Sequence, residues 1–214
     1  MKTPFQLYEY FKISIIQDKL ENVSRNFTSQ LKDFKLKKKV LAKVDFKKVC
    51  SVKRIFNSDK VKFILFEPLT NPNVTVFFPN FPDGWYTLVL NYPRLFNKNA
   101  FQAGFTVGNT KKYPAYFFHY FFSGNGENWQ RTVQAIKEDK WIFFDGGTPL
   151  AIEDISNYRK RKITDRINNE IIIGYLKKAG YDLTNDAFFK PKKNAILFSN
   201  VLATWGVAKR KKSN

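Results

Sequence analysis

The chain's single histidine, His119, lies inside the aromatic run YFFHYFF at 116–122, and its single cysteine is Cys50. These two side chains bound the chemistry available. One His and one Cys do not supply the usual N/S ligand set of a zinc site, so no metal is expected. A Ser-His-Asp or Cys-His arrangement would have to use His119, yet no serine sits in an elbow motif. The chain carries neither a P-loop nor a dinucleotide fingerprint, and no cofactor is expected. GGTP at 146–149 reads as strand-to-helix punctuation. The paired acids Glu138/Asp139 and Glu153/Asp154 are adjacent and project in different directions, so solvation or helix capping accounts for them more simply than catalysis. The reading is a protein that is not an enzyme.

The element holding His119 follows from the run itself. In a strand, Tyr116, Phe118, Tyr120 and Phe122 share one face, and Phe117, His119 and Phe121 share the other. Such a segment is either a core strand or a shelf on which nucleic-acid bases stack. Burying each ring is worth about 1.5–3 kcal/mol. A stacking shelf interleaves its rings with cations, and none lies within 116–122. A central strand covered on both sides is therefore expected, with His119 tucked in and bonded to a neighbour. AGFTVGN at 103–109 resembles part of an RNA-recognition strand but lacks its basic residue and second aromatic.

The surrounding elements read as an α+β fold. Residues 4–36 form a long amphipathic helix in this reading, with Thr3 as N-cap, Pro4 at its first position, and a stripe of Ile16, Leu20, Val23, Phe27, Leu31 and Phe34. That stripe covers a sheet or, alternatively, a dimer seam. About eight strands follow over 39–146, mostly antiparallel and long enough to curl strongly. They include VLAKVDF, KKVCSVKRIF, KVKFILFEP, NVTVFFPNF, WYTLVLNYP, FQAGFTVGN, AYFFHYFF and KWIFFDG. Residues 154–180 return to a C-terminal helix or helix pair, divided at INN (167–169) and stopped at Gly180, and AILFSNVLATW gives a final strand. One domain spans 1–207, and 208–214 form a basic disordered tail.

Charge points to a partner. Lys and Arg number 37 against 18 Asp and Glu, a net charge of +19, with 43% hydrophobic residues to build a core. Such a field attracts phosphate, anionic lipid or an acidic protein, although the joint abundance of Lys, Asn, Phe and Ile makes part of the excess compositional. The lone cysteine excludes an internal disulfide. The opening residues lack the apolar core of a secretory signal, and no run is long enough to enter a membrane as a helix. A cytoplasmic protein is the expectation. The candidate contacts with a partner or with phosphate are Lys37, Lys38, Lys39, Lys47, Lys48, Lys53 and Arg54 in the first cluster and Arg159, Arg161, Lys162 and Arg166 in the second. The tail KRKK is a third cluster. On one continuous face they would bind nucleic acid without reading its sequence, with a steep salt dependence.

Residues 141–180 carry Trp141, Phe143, Gly147, Pro149, Leu150, Glu153, Tyr158, Arg161, Asp165, Arg166, Tyr175, Leu176 and Gly180. This pattern resembles bacterial immunity-type proteins encoded beside polymorphic toxins, with Ile152 standing where the pattern has an aromatic. The resemblance implies a protein that inhibits a cognate toxin by binding it. Physically, the segment reads as a strand–turn–helix joint in which Glu153 starts a helix and Arg161 and Arg166 clamp Glu153 or Asp165. Two functions remain open: an inhibitor meeting a cognate toxin or other acidic protein, and a sequence-nonspecific nucleic-acid-binding protein.

Overall fold

The structure, a computed structural model, describes residues 3–49, 61–81, 83–108, 113–123 and 130–200, with residues 48 and 49 described by their backbone alone. Cys50, Lys53, Arg54, most of the strand expected at KKVCSVKRIF and the tail at 208–214 lie outside the described residues.

β1 (Tyr10–Ile16, YFKISII) is the middle of the fold, and every one of its residues is buried. Its aromatic and β-branched side chains suit a pleated surface packed on both faces. It corrects the expected helix over 4–36, which resolves into a 3₁₀ turn at Pro4–Leu7, β1, and a helix α1 (Leu20–Gln30) followed by a 3₁₀ turn at Lys32–Phe34. A strand buried on both sides shows no apolar/polar alternation, so its sequence does not separate it from a helix. The helical stripe is real from Leu20, half-buried against the core, through Val23, Phe27 and Leu31, all buried.

The remaining strands are β2 (Lys37–Leu41), β3 (Lys62–Phe66), β4 (Thr75–Pro79), β5 (Ala100–Thr106), β6 (Ala115–Phe121), β7 (Gln130–Lys137), β8 (Trp141–Gly146) and β9 (Ala195–Ser199). They form one nine-stranded sheet in the order β2-β9-β3-β4-β1-β5-β6-β7-β8. All pairings are antiparallel. The expected eight-stranded, strongly curled meander is thus corrected to nine strands in an open sheet. β1 inserts between β4 and β5, and β9 returns between β2 and β3. Helical segments cover both faces, so the sheet buries its apolar surface without rolling onto itself.

Further corrections concern α3 (Tyr86–Phe96) and β7. WYTLVLNYP reads as a strand but forms α3, with Leu88, Val89, Tyr92 and Pro93 on the buried side. Gly84 and Trp85 adopt left-handed conformations (φ +67° and +58°) that turn the chain into it, and Asn97 (φ +53°) ends it. β7 (QRTVQAIK) is absent from the sequence reading because Arg131 and its amides interrupt the apolar pattern. The helix or helix pair expected over 154–180 is corrected before the INN position, where the chain forms only a 3₁₀ turn at Ile155–Arg159 and a single turn α4 (Ile163–Arg166); a full helix, α5 (Asn169–Lys178), starts within INN. Asn168 caps α5 by accepting from the Ile171 N–H at 3.0 Å. Another single turn, α2 (Phe46–Val49), takes the last residue of the expected strand VLAKVDF and the first three of the expected strand KKVCSVKRIF.

Each sheet face carries its own core. Phe11, Ile13, Phe78, Phe105, Phe118, Ile172 and Phe188 pack on the α5 side. Ile16, Phe63, Phe77 and Phe121 pack against Val23 and Phe27 of α1 and Leu88, Val89 and Tyr92 of α3. Asp18, buried at the start of α1, joins these elements. Its Oδ1 accepts from the Lys19 N–H and Asn22 Nδ2, both at 2.8 Å, and its Oδ2 from the Tyr92 hydroxyl at 3.0 Å. Among the described residues no helix is long and apolar enough to cross a membrane.

Candidate functional site

On the α1/α3 face, register alone lines up a row of polar side chains across adjacent strands. Ser14 of β1 lies opposite Gln102 of β5, Gln102 opposite His119 of β6, and His119 opposite Thr132 of β7. All are buried, and the Ser14 Oγ and Gln102 Oε1 have no hydrogen-bond partner among the described residues. Ser14 and His119 are two strand spacings apart, roughly 10 Å. A serine activated by histidine needs a separation of about 3 Å, so this row is not a nucleophile–base pair.

His119 is held as a neutral ring. Its Nδ1 is 3.1 Å from the Thr132 Oγ1. Phe117 and Phe121 stack beside it, with centroids at 5.0 and 5.7 Å, and Tyr86 meets it edge-on at 5.3 Å. Burial lowers its pKa to about 3, because the apolar surroundings disfavour the imidazolium. Phe118 and Phe121 are fully buried; of the half-buried rings, Phe117 lies on the His119 face, whereas Tyr116 and Tyr120 pack against the core on the α5 side.

Beyond the end of α3 the same face is open. A cavity of about 620 Å³ is walled by Tyr10, Tyr86, Phe117 and Phe144, with Gln134 and His119 among its polar lining and Asp83 also on its wall. Ile142 and Phe144 of β8 are 50% and 49% exposed beside it.

The other face of β7 and β8 is built around Arg131, whose side chain is fully buried. Its Nε donates to Glu153 Oε1 at 2.9 Å and its Nη2 to Oε2 at 2.6 Å. Its Nη1 donates to Asp145 Oδ1 and to the carbonyls of Gly146 (2.9 Å) and Gly147 (3.0 Å). The Leu150 N–H and the Tyr158 hydroxyl complete the shell of Glu153, at 2.9 and 2.6 Å. Burial alone would lower the guanidinium's pKa, but Glu153 and Asp145 outweigh it and the net shift is upward. Tyr158 is pushed up, by burial first and then by its bond to Glu153. This corrects two expectations. Glu153 is clamped by Arg131 rather than by Arg161 or Arg166, and it does not start a helix; Asp154 caps the 3₁₀ turn instead, accepting from the Ser156 N–H at 3.2 Å. Asp165 pairs with Lys162 at 3.7 Å.

The basic residues singled out from the sequence fall in separate places. Lys37, Lys38 and Lys39 are exposed on β2, one edge of the sheet, and the Lys38 Nζ lies 5.2 Å from the Phe198 ring. Lys47 is exposed on α2, and the side chain of Lys48 is outside the described residues. Arg159, Arg161 and Lys162 are exposed around the turns that follow β8, and Arg166 is half-buried there. The Arg166 Nε donates to the Lys160 carbonyl at 2.6 Å, and its Cζ is 5.2 Å from the Phe143 ring. β2 and β8 are the two ends of the sheet. With eight spacings of about 4.8 Å between these strands, the β2 lysines stand roughly 40 Å from the β8 edge.

The features that sequence reasoning missed are Arg131 and the cavity. A lone arginine among strand-forming residues, WQRTVQAI, was the available signal for the first. Comparison with family models, with curated proteins and with solved structures gives no match for this chain.

Proposed function

We propose that the chain is a non-catalytic protein-binding inhibitor of the immunity type, which neutralises a cognate bacterial toxin by covering it. One observation carries this reading: the exposed β8 end is pinned from behind by the buried Arg131–Glu153 pair and has a cavity on the open face, the geometry of a preformed contact surface. A preformed surface loses little ordering entropy on binding. The state of His119 also supports it, since a ring with a pKa of about 3 is a weak base at neutral pH. The field of +19 would steer an acidic partner toward the chain. The cytoplasm is the compartment in which such an inhibitor would meet its toxin.

Nucleic-acid binding is the second reading, and the lysines of β2 are the feature that favours it. Basic clusters at opposite sheet edges do not make one phosphate track, which weakens it. Co-expression with each product encoded beside this chain tests the inhibitor reading. Rescue of growth and co-purification with one neighbour are expected. Failure with every neighbour removes it.

A further inference from the structure

The two edges of the sheet differ. β2 places consecutive lysines, Lys37 to Lys39, along its exposed edge. Charged edge residues, lysine above all, prevent a further strand from adding. β8 is the opposite edge, and among the described residues it pairs only with β7. Its sequence, WIFFDG, holds no cation. In an antiparallel edge strand, alternate residues direct their N–H and C=O groups away from the sheet. Among the described residues Trp141–Gly146 therefore presents a largely apolar template without a partner strand, and Arg131 holds its C-terminal end by binding Asp145, Gly146 and Gly147.

Charge selects the occupant. On the face of Trp141 and Phe143, Arg166 lies against the Phe143 ring, and Arg159 borders a cavity of about 550 Å³ with Phe143 and Tyr158. Asp145, on the same face, bonds to Arg131, which Glu153 also pairs, so that cluster keeps one negative charge, which Arg159 and Arg166 outnumber. The other face offers the apolar Ile142 and Phe144, with Gln134 and Asp83 on the wall of the cavity beside Phe144. In the β7–β8 turn, Glu138 and Asp139 are balanced by Lys137 and Lys140. A second copy paired antiparallel through β8 would bring the two sets of Arg159 and Arg166 onto one face, where like charges repel.

We propose that β8 receives an extended segment of an acidic partner protein as a tenth strand, with acidic side chains toward Arg159 and Arg166 and apolar ones toward Ile142 and Phe144. The inference rests on the inhibitor reading for its partner, but the edge is tested without the toxin. A short fluorescent peptide alternating valine and glutamate is titrated into the intact chain by anisotropy, beside its valine–lysine counterpart. The glutamate peptide is expected to bind and the lysine peptide not to. Arg159→Glu with Arg166→Glu, and separately Ile142→Lys, should each weaken binding by about tenfold or more. Changing Lys37, Lys38 and Lys39 together to Glu should leave it within about twofold. Failure of the glutamate peptide to bind, equal response to both β8 variants and wild type, or loss of binding in the β2 variant overturns the edge assignment. Co-purification of a neighbour with a β8-insensitive affinity would leave the inhibitor reading standing and remove this inference alone.

Discussion

Arg131 and Glu153, both fully buried at their side chains, meet with Nη2···Oε2 at 2.6 Å and tie β7 to the segment after β8. Removing Arg131 strands Glu153 as a buried charge, which costs about 3–5 kcal/mol, whereas removing Glu153 leaves Arg131 its bond to Asp145 and costs less. Arg131→Met is expected to lower stability on that scale in urea unfolding, and Glu153→Leu by less. Arg131→Met combined with Glu153→Leu should recover part of the loss, because no buried charge then remains and Asp145, which is partly exposed, keeps its water. Additive losses in the double variant would show that the pair is not coupled.

His119 gives a pH signature with a definite sign. Its folded pKa, about 3, is below the ordinary value of 6.5, so the unfolded chain binds more protons in between. The contribution is complete above pH 6.5 and is lost as pH falls from there toward 3, with a slope of up to about 1.4 kcal/mol per pH unit. Unfolding measured at pH 7 and 5.5 should show this drop in the wild type and a smaller one in His119→Gln. Equal drops in both proteins would place the ring in contact with solvent.

Tyr92 joins α3 to α1 through Asp18, and its hydroxyl also receives Asn26 Nδ2 at 3.0 Å. Tyr92→Phe keeps the ring in place but leaves the buried Asp18 Oδ2 without this donor. A loss of about 1–3 kcal/mol is expected from denaturant midpoints. Asp18→Asn should cost less than Asp18→Ala, since the amide oxygen still accepts from the Lys19 N–H.

Gly147 follows β8 with φ +81°, and a Cβ there would clash with the Gln130 carbonyl oxygen. Gly147→Ala is expected to destabilise by at least about 2 kcal/mol, from the left-handed backbone together with the clash. The same change at Gly174, where a Cβ would meet nothing within 4 Å inside α5, should stabilise or be neutral. Thermal melts of the two variants separate these outcomes.

What the sequence revealed depended on whether one face of an element stayed wet. β3, β4, β5, β6, β8 and β9 were legible from apolar runs bounded by breakers such as TNPN. β1 was not, because burial on both faces erased its alternation and its residues joined a genuine stripe in α1. α3 was misread because Trp85 to Tyr92 is apolar enough to satisfy either period. The sheet order depends on β1 and β9 pairing with sequence-distant partners, which no local pattern encodes. The Glu153 site was half visible: the segment 141–180 held the acid, Tyr158 and Tyr175, but the arginine that completes it comes from another strand. The basic clusters were visible as composition, and only the sheet order places them at opposite edges.

Isothermal titration of the intact chain against the purified product of each neighbouring gene decides most directly whether it works by binding a protein. One neighbour should bind one-to-one with a Kd near the nanomolar range, and Arg159→Glu should weaken that complex by about tenfold. No heat with any neighbour, alongside a nucleic-acid gel shift whose affinity falls steeply with salt, contradicts it.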